Sequence, residues 1–368
     1  MTCDYLVVGS GLSGATIARH LSDAGCRVQV LERRANLGGN VADVRHESGI
    51  YIGQHGPHYF RTSSDQVWQF INRFSEFHPY SAVVKSKVDG KLENWPIAAS
   101  YIRRTIGRTW QPQYTGIPNN FEEAALSLMP RAIYEKFVKG YTEKQWGMPA
   151  QQLAAHLCRR FDVRADDNPH LTPRAKYQAI PTGGYTAMMQ RMLNGIPVEL
   201  SVDYLADRRA IRPRFLTIYS GPIDQYFNYS LGRLQYRGQK RETSYAPNTE
   251  WAQPCGQVNY PAVSEGSKLR TIEWKHMMRA DLSAKTRGTV LTTETPYTPT
   301  NADEYEYPIP DDANEELYLE YQRLASQEAG TLFCGRLGEY RYYDMDQAIG
   351  RAMMLAQRIL TKTLAEAA

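Results

Sequence analysis

Residues 5–40 constrain the fold more tightly than any other stretch of the chain. Leu6, Val7 and Val8 form a short apolar run that ends in Gly9-Ser10-Gly11-Leu12-Ser13-Gly14, and an alanine-containing helical segment follows to about Gly25. A second apolar run over residues 26–31 leads to Glu32, eighteen residues after Gly14. Strand, glycine turn, helix and strand in this order make an adenine-dinucleotide site. The glycines let backbone approach a pyrophosphate, the helix N-terminus offers unpaired N–H donors, and the acid accepts from ribose hydroxyls. An ordinary tight turn would need neither the helix nor the spaced acid.

Arg33 and Arg34 read as a clamp for the extra phosphate of NADP, yet Glu32 would repel that phosphate. A second glycine turn, Gly38-Gly39-Asn40, follows at short range. It resembles the continuation found in flavoproteins of the glutathione reductase and amine oxidase type, which favours FAD over NAD.

At 368 residues the chain is long enough for two or three packed units. With 43 basic and 39 acidic residues and no block of like charge, it has no nucleic-acid arm, so any basic site must be local. Cys3, Cys26, Cys158, Cys255 and Cys334 are scattered and lack metal-ligand spacing, which reads as reduced structural thiols and a cytoplasmic location. The first strand begins within a few residues of Met1, and no apolar run reaches the roughly 18 residues that span a bilayer. Neither a signal peptide nor a membrane span is expected.

Further along, Gly53-Gln54-His55-Gly56-Pro57-His58-Tyr59-Phe60-Arg61-Thr62 is too rich in glycine, histidine and aromatics for a simple surface loop. His55 and His58 have no partner at metal spacing, so a hydrogen-bonded or flavin-facing role outranks a metal. The periodicity predicts a helix over 65–77, a hairpin over 83–96 turning at Asp89-Gly90, and helices over 120–146. Residues 159–170 turn polar and proline-bearing and read as an exposed, mobile loop. Strands are expected at 198–200, 216–220, 257–260, 269–274, 290–293 and 331–334, with a last helix over 346–363.

The expected architecture is α/β: a Rossmann-type FAD-binding domain with an inserted helical subdomain and an antiparallel β-sheet domain. The first is assigned 1–80, 183–230 and 326–368. The helical, substrate-binding subdomain is assigned 98–176, with its mobile loop near 159–170, and the sheet domain 81–97, 177–182 and 231–325.

Several ordered motifs together resemble one family, the UDP-galactopyranose mutases, over essentially the whole chain. They are the flavin fingerprint with Gly38-Gly39-Asn40, Gly56-Pro57-His58-Tyr59-Phe60, Lys139-Gly140-Tyr141-Thr142-Glu143-Lys144-Gln145-Trp146-Gly147, Ile180-Pro181, Gly184-Tyr185-Thr186, Ser220-Gly221-Pro222-Ile223-Asp224, and the run from Gly335-Arg336-Leu337-Gly338 to Asp344-Met345-Asp346. The resemblance implies interconversion of six- and five-membered ring forms of a nucleotide-linked sugar without net redox change. N5 of reduced FAD attacks the anomeric carbon and displaces the nucleotide diphosphate, so no activated serine or cysteine is needed.

Position by position, the family's two essential arginines fall on Arg160 and Arg270, where paired guanidinium donors would take up charge on the β-phosphate. Tyr141, Trp146 and Phe137 match the nucleotide-base pocket, with helix packing as the other reading of Phe137. Tyr307 and Tyr342 match tyrosines that bind the phosphates, and Asp344 an acid near flavin and substrate. His58 is assigned to the flavin and the catalytic group. Gly9, Gly11, Gly14, Glu32, Arg33, Gly38, Gly39, Asn40, Arg336 and Asp346 complete the cofactor set. Arg61 stands where relatives acting on galactose usually carry histidine, and arginine there marks relatives that also accept the 2-acetamido sugar. Trp274 stands near another family histidine, and an aromatic that contacts the nucleotide in relatives gives way near Pro169 and His170. The implied partners are a UDP-sugar, an external reductant such as NAD(P)H and a second subunit in a homodimer, without nucleic acid or metal. A 6-deoxy sugar substrate, a flavin amine oxidase-like oxidoreductase and a silent nucleotide-sugar binder are the competing readings.

Overall fold

Apolar on both faces, the first strand can only be interior to a covered sheet. The computed structural model describes residues 3–161, 163–208 and 210–367; Asp162, and the side chains of Arg160 and of 363–367, lie outside what is described. Tyr5–Val8 is the central strand of a five-stranded parallel sheet, ordered Val198–Leu200, Val28–Glu32, Tyr5–Val8, Leu216–Tyr219, Thr331–Phe333. One face is covered by the helices Leu12–Asp23, Tyr185–Met192 and Met345–Ala367, where Ala15, Ile17, Ala18 and Leu21 meet Ile349, Ala352, Leu355 and Ala356. Tyr204, Tyr219 and Tyr226 pack on the other face with Leu6 and Leu31. The chain leaves the central strand in one direction to Val28–Glu32 and later returns on its other side as Leu216–Tyr219. The crevice at the carboxyl ends of these strands is the topological switch point where such sheets bind ligands.

A second sheet has seven strands in the order Tyr307–Pro308, Tyr236–Ala246, Thr289–Tyr297, Arg270–Glu273, Gln257–Asn259, Val84–Val88, Lys91–Trp95. The hairpin turns at Asp89 and Gly90, both at positive φ, as a tight two-residue connection requires. Two expectations are corrected here. The sheet is not wholly antiparallel, because Gln257–Asn259 runs parallel to Val84–Val88. Residues 177–182 do not join it either: Tyr177–Pro181 pairs with Phe60–Thr62 and Phe77–Pro79 in a separate three-stranded sheet. The sequence assigns these residues to the sheet domain with no strand named, and partner choice depends on neighbours far away in sequence. Likewise the helix expected over 65–77, capped by the Ser64 hydroxyl, ends at Asn72, and Phe77–Pro79 becomes a strand.

The helices Ala99–Thr105, Phe121–Leu128 and Gly140–Trp146, with a wide π turn over Tyr134–Lys139, enclose their own core around Phe121, Tyr134 and Phe137. Gly140 docks this unit onto the sheet: a Cβ there would stand 2.3 Å from the Pro261 carbonyl. Lys144 completes the joint by donating to the carbonyls of Tyr260, Ala262 and Lys268. Residues 159–170 are less free than their composition suggests. Val163 bridges to Ile97 and His170 to Val83, while Arg164 is buried and donates to the carbonyls of His170 (3.0 Å) and Leu171 (3.3 Å). Asp166 and Asp167 remain exposed.

Candidate active site

The glycine turns are shaped by close backbone approach. Gly9 has φ 102° and a Cβ there would lie 2.2 Å from the Ser220 hydroxyl; at Gly14 it would lie 2.0 Å from the Gly9 carbonyl, and at Gly39 3.0 Å from the Gly11 Cα. The helix Leu12–Asp23 begins at Gly11 without a side-chain cap, so its first N–H groups face the crevice. Glu32 ends the second strand buried, accepting from the Ser10 N–H (2.8 Å), the Ser10 hydroxyl (2.7 Å) and the Arg34 N–H (2.8 Å). A carboxylate has about four acceptor positions, which leaves room for a ribose hydroxyl. These features fit the adenosine diphosphate portion of a dinucleotide.

One cleft is lined by Gly9, Gly11, Gly14, Glu32, Arg33, Gly38, Gly39, Asn40, His58 and Arg336. Asp344 and Asp346, expected beside them, do not line it. The start of the last helix turns Met345 and Ala348 to the cleft, while Asp344 pairs with Arg61 at 2.8 Å and accepts from Tyr342 at 3.3 Å. Burial, with Asp344 nearby, raises the pKa of Asp346. Arg33 pairs with Asp303 at 2.7 Å, and Arg34, more deeply placed, binds Asn40 (3.0 Å) and the Asp303 carbonyl (2.6 Å).

His58 lines both this cleft and an adjoining cavity that runs past Val41, Tyr185 and Trp274. Its Nδ1 donates to the Gly56 carbonyl at 2.9 Å, so Nε2 keeps its lone pair. Burial, reinforced by Arg336, pushes its pKa down to about 3, so the ring is neutral. Beside Arg336 on the cleft wall the Tyr307 and Tyr342 rings lie 5.9 Å apart and nearly parallel, with the Arg336 guanidinium 5.6 and 4.8 Å from their centres. Trp146 meets Tyr307 edge-on at 6.4 Å.

Arg270 belongs to the same cluster and is electrostatically coupled to Tyr141 and Tyr307. Burial alone would lower its pKa, but Glu294 and the two tyrosines raise it well above the ordinary value, so it stays charged. The structure thus brings together Arg270, Tyr141, Trp146, Tyr307, Tyr342 and, through Asp344, Arg61. Phe137 does not join them: it is 1 % exposed, packed against Trp95 and Tyr101, and the packing reading of it holds. The Arg160 side chain lies outside the described residues. Among the described residues no group of three or more metal-ligating side chains assembles, and no helix is long and apolar enough to cross a membrane.

Sequence reasoning missed the acids that hold these cations. Glu294 lies opposite Arg241 on one neighbouring strand and opposite Arg270 on the other. Glu306 binds Arg241 through both oxygens, at 2.6 and 2.9 Å. A buried-facing acid in the alternating run 289–297 was the available signal, but its partners follow only from register. Asp43 was also missed. It accepts from the N–H groups of Tyr185 (2.6 Å) and Thr186 (2.9 Å), an arrangement open only because Gly184 has no side chain.

Known proteins resemble this chain over nearly its whole length. A family model described as UDP-galactopyranose mutase matches residues 136–342, and one described as an NAD(P)-binding Rossmann-like domain matches residues 7–74. The chain is 31% identical to a dTDP-fucopyranose mutase of Escherichia coli, over 96% of this chain and 97% of that protein. It is 33% identical to a protein of Klebsiella pneumoniae named "Probable UDP-galactopyranose mutase", over 97% and 95% of the two chains. The fold superposes on a crystal structure of reduced UDP-galactopyranose mutase with a TM-score of 0.74, at 16% identity, covering 98% of this chain and 96% of that one.

Proposed function

We propose, since the chain belongs to the UDP-galactopyranose mutase family, that it interconverts UDP-galactopyranose and UDP-galactofuranose, and the N-acetylgalactosamine analogue as well. Its class, a flavin-dependent nucleotide-sugar pyranose mutase and hence an isomerase, is the premise; the sugar, the form of the cofactor and the residue roles are the proposal. FAD in its reduced form, bound in the glycine cleft, supplies a nucleophilic ring nitrogen for the anomeric carbon.

The chain's own residues bind, orient and neutralise. Arg270, with Arg160, takes the negative charge that collects on the β-phosphate as the anomeric bond breaks, and Tyr307 and Tyr342 donate to the same phosphates. Tyr141 and Trp146 hold the base. Neutral His58 offers an acceptor at Nε2 beside the cleft without adding charge. Arg61, held by Asp344, borders the sugar and contributes to its selection. The observation that carries the reading is Arg270, charged in a buried setting between Glu294 and the tyrosines Tyr141 and Tyr307. An external reductant such as NAD(P)H, a cytoplasmic location and a homodimer complete the proposal, as does the division into flavin, helical substrate-binding and sheet domains.

A second reading is favoured by the full-length match to a dTDP-fucopyranose mutase: a 6-deoxy sugar on a thymidine diphosphate. Assay of both nucleotide sugars on the dithionite-reduced protein decides between them. In either case Arg270→Ala and Arg160→Ala are expected to keep bound flavin, seen in its visible absorbance, and lose ring interconversion. Near-normal turnover by either variant would overturn the assigned roles.

A further inference from the structure

The phosphate-binding arginine does not stand alone. Arg270 pairs with one oxygen of Glu294, whose other oxygen takes the Arg241 Nε at 2.9 Å. Arg241 then grips Glu306, which His55 approaches at 3.4 Å, and the far nitrogen of His55 lies 3.4 Å from Arg34 on the wall of the cofactor cleft. Glu294 is fully buried, and the side chains of Glu306, Arg241 and Arg270 are 4 %, 13 % and 15 % exposed. The cluster also touches the loop that carries His58: a Cβ on Gly56 would meet Glu294 at 2.7 Å and Arg241 and Arg270 at 3.4 Å.

Resting on the diphosphate reading of the site, we propose that Arg241 is a positioning residue that sets the charge presented to the nucleotide diphosphate. Two arginines and two carboxylates balance one another in this cluster. Because Glu294 is shared, Arg270 faces only part of a carboxylate and keeps donors for a ligand. If Arg241 were absent, Glu294 would fall to Arg270 alone and Glu306, left with His55 as its side-chain partner, would be a buried anion without a matching arginine close to an anionic ligand. At about 10 Å and an effective dielectric of about 20, one such charge still changes a binding constant by about tenfold.

The test is calorimetric titration of UDP, and in parallel dTDP, into flavin-loaded protein at low salt. Arg241→Met leaves the cluster one negative charge in excess and is expected to raise the Kd by about tenfold or more, as for truncation of one member of a buried charge pair. Arg241→Lys keeps the charge and should recover part of the loss. Glu306→Gln shifts the balance the other way and is expected to tighten binding a few-fold. The double variant Arg241→Met/Glu306→Gln restores neutrality and should return toward the wild-type Kd. A purely structural role for Arg241 predicts that the double variant is no better than Arg241→Met. That result, a wild-type Kd for Arg241→Met, or unchanged or weaker binding by Glu306→Gln overturns the proposal. Should Arg241→Met fail to fold, Glu306→Gln decides alone through the sign of its effect. Absence of binding by the wild type overturns the diphosphate reading itself.

Discussion

Arg270 shows how much a single residue in this chain depends on its neighbours. Removing one preorganised donor to developing charge costs about 10²–10³ in rate, so Arg270→Ala is expected to lose at least that factor in kcat/KM while retaining flavin. Steady-state kinetics with absorbance-quantified flavin checks both halves. A second prediction concerns Asp224, fully buried, which accepts from the Leu234 N–H at 3.0 Å and has its other oxygen unpartnered. Burial pushes its pKa from 3.8 up to about 6, against the opposing effect of that N–H. A raised carboxyl favours the folded state below about pH 4 and loses that contribution as pH rises through about 6. Asp224→Asn should therefore be more stable than the wild type at pH 7.5, by about 1–3 kcal/mol at 1.36 kcal/mol per pKa unit. The gap should close near pH 4, as read from thermal melts at each pH. At this scale the sequence was readable where chemistry is local. Gly9, Gly14 and Glu32 are tied by spacing alone, whereas Glu294, Arg241 and Glu306 meet only because three strands align.

Among the elements, the helix Leu12–Asp23 carries the cofactor argument. Gly14→Ala would place a methyl 2.0 Å from the Gly9 carbonyl and move the helix N-terminus away from the crevice. The purified variant is expected to hold little flavin, measured as the ratio of visible to ultraviolet absorbance. The helix Tyr185–Met192 is fixed instead by Asp43, whose carboxylate accepts from its first two N–H groups. Loss of such a cap costs about 0.5–2 kcal/mol, so Asp43→Ala should lower the denaturation midpoint correspondingly, and more modestly than Gly14→Ala reduces flavin content. Element type was legible from period and glycine position: the hairpin at Asp89-Gly90 and the final helix are both present. Partnership was less so. Tyr177–Pro181 left the expected sheet for the strands beside Phe60 and His78, because an alternating run fits any sheet edge of matching polarity until the rest of the chain is in place.

For the whole molecule, the helical unit docks through Gly140 and Lys144 onto the sheet bearing Arg270, and Trp146 of that unit meets Tyr307, which packs beside Arg336 on the wall of the crevice. The segment 159–170 bridges to Ile97 and Val83, and Arg164 pins its C-terminal side. We expect the segment, with Arg159 and Arg160 at its start, to close on a bound diphosphate, so that limited proteolysis within 159–170 slows when UDP is added; unchanged cutting would argue against closure. The fold alone does not separate a mutase from an oxidase, since both place a flavin in such a crevice. What separates them is the chemistry of the arginine and tyrosine cluster around Arg270 and Tyr307. The most direct measurement is to incubate the dithionite-reduced protein with a panel of pyranose and furanose nucleotide sugars, and to follow products by chromatography and flavin oxidation state by absorbance. The account predicts interconversion of the two ring forms with the flavin still reduced after many turnovers. No ring isomer from the reduced protein, together with bleaching of the flavin when the same sugars are added to the oxidised protein, would contradict it.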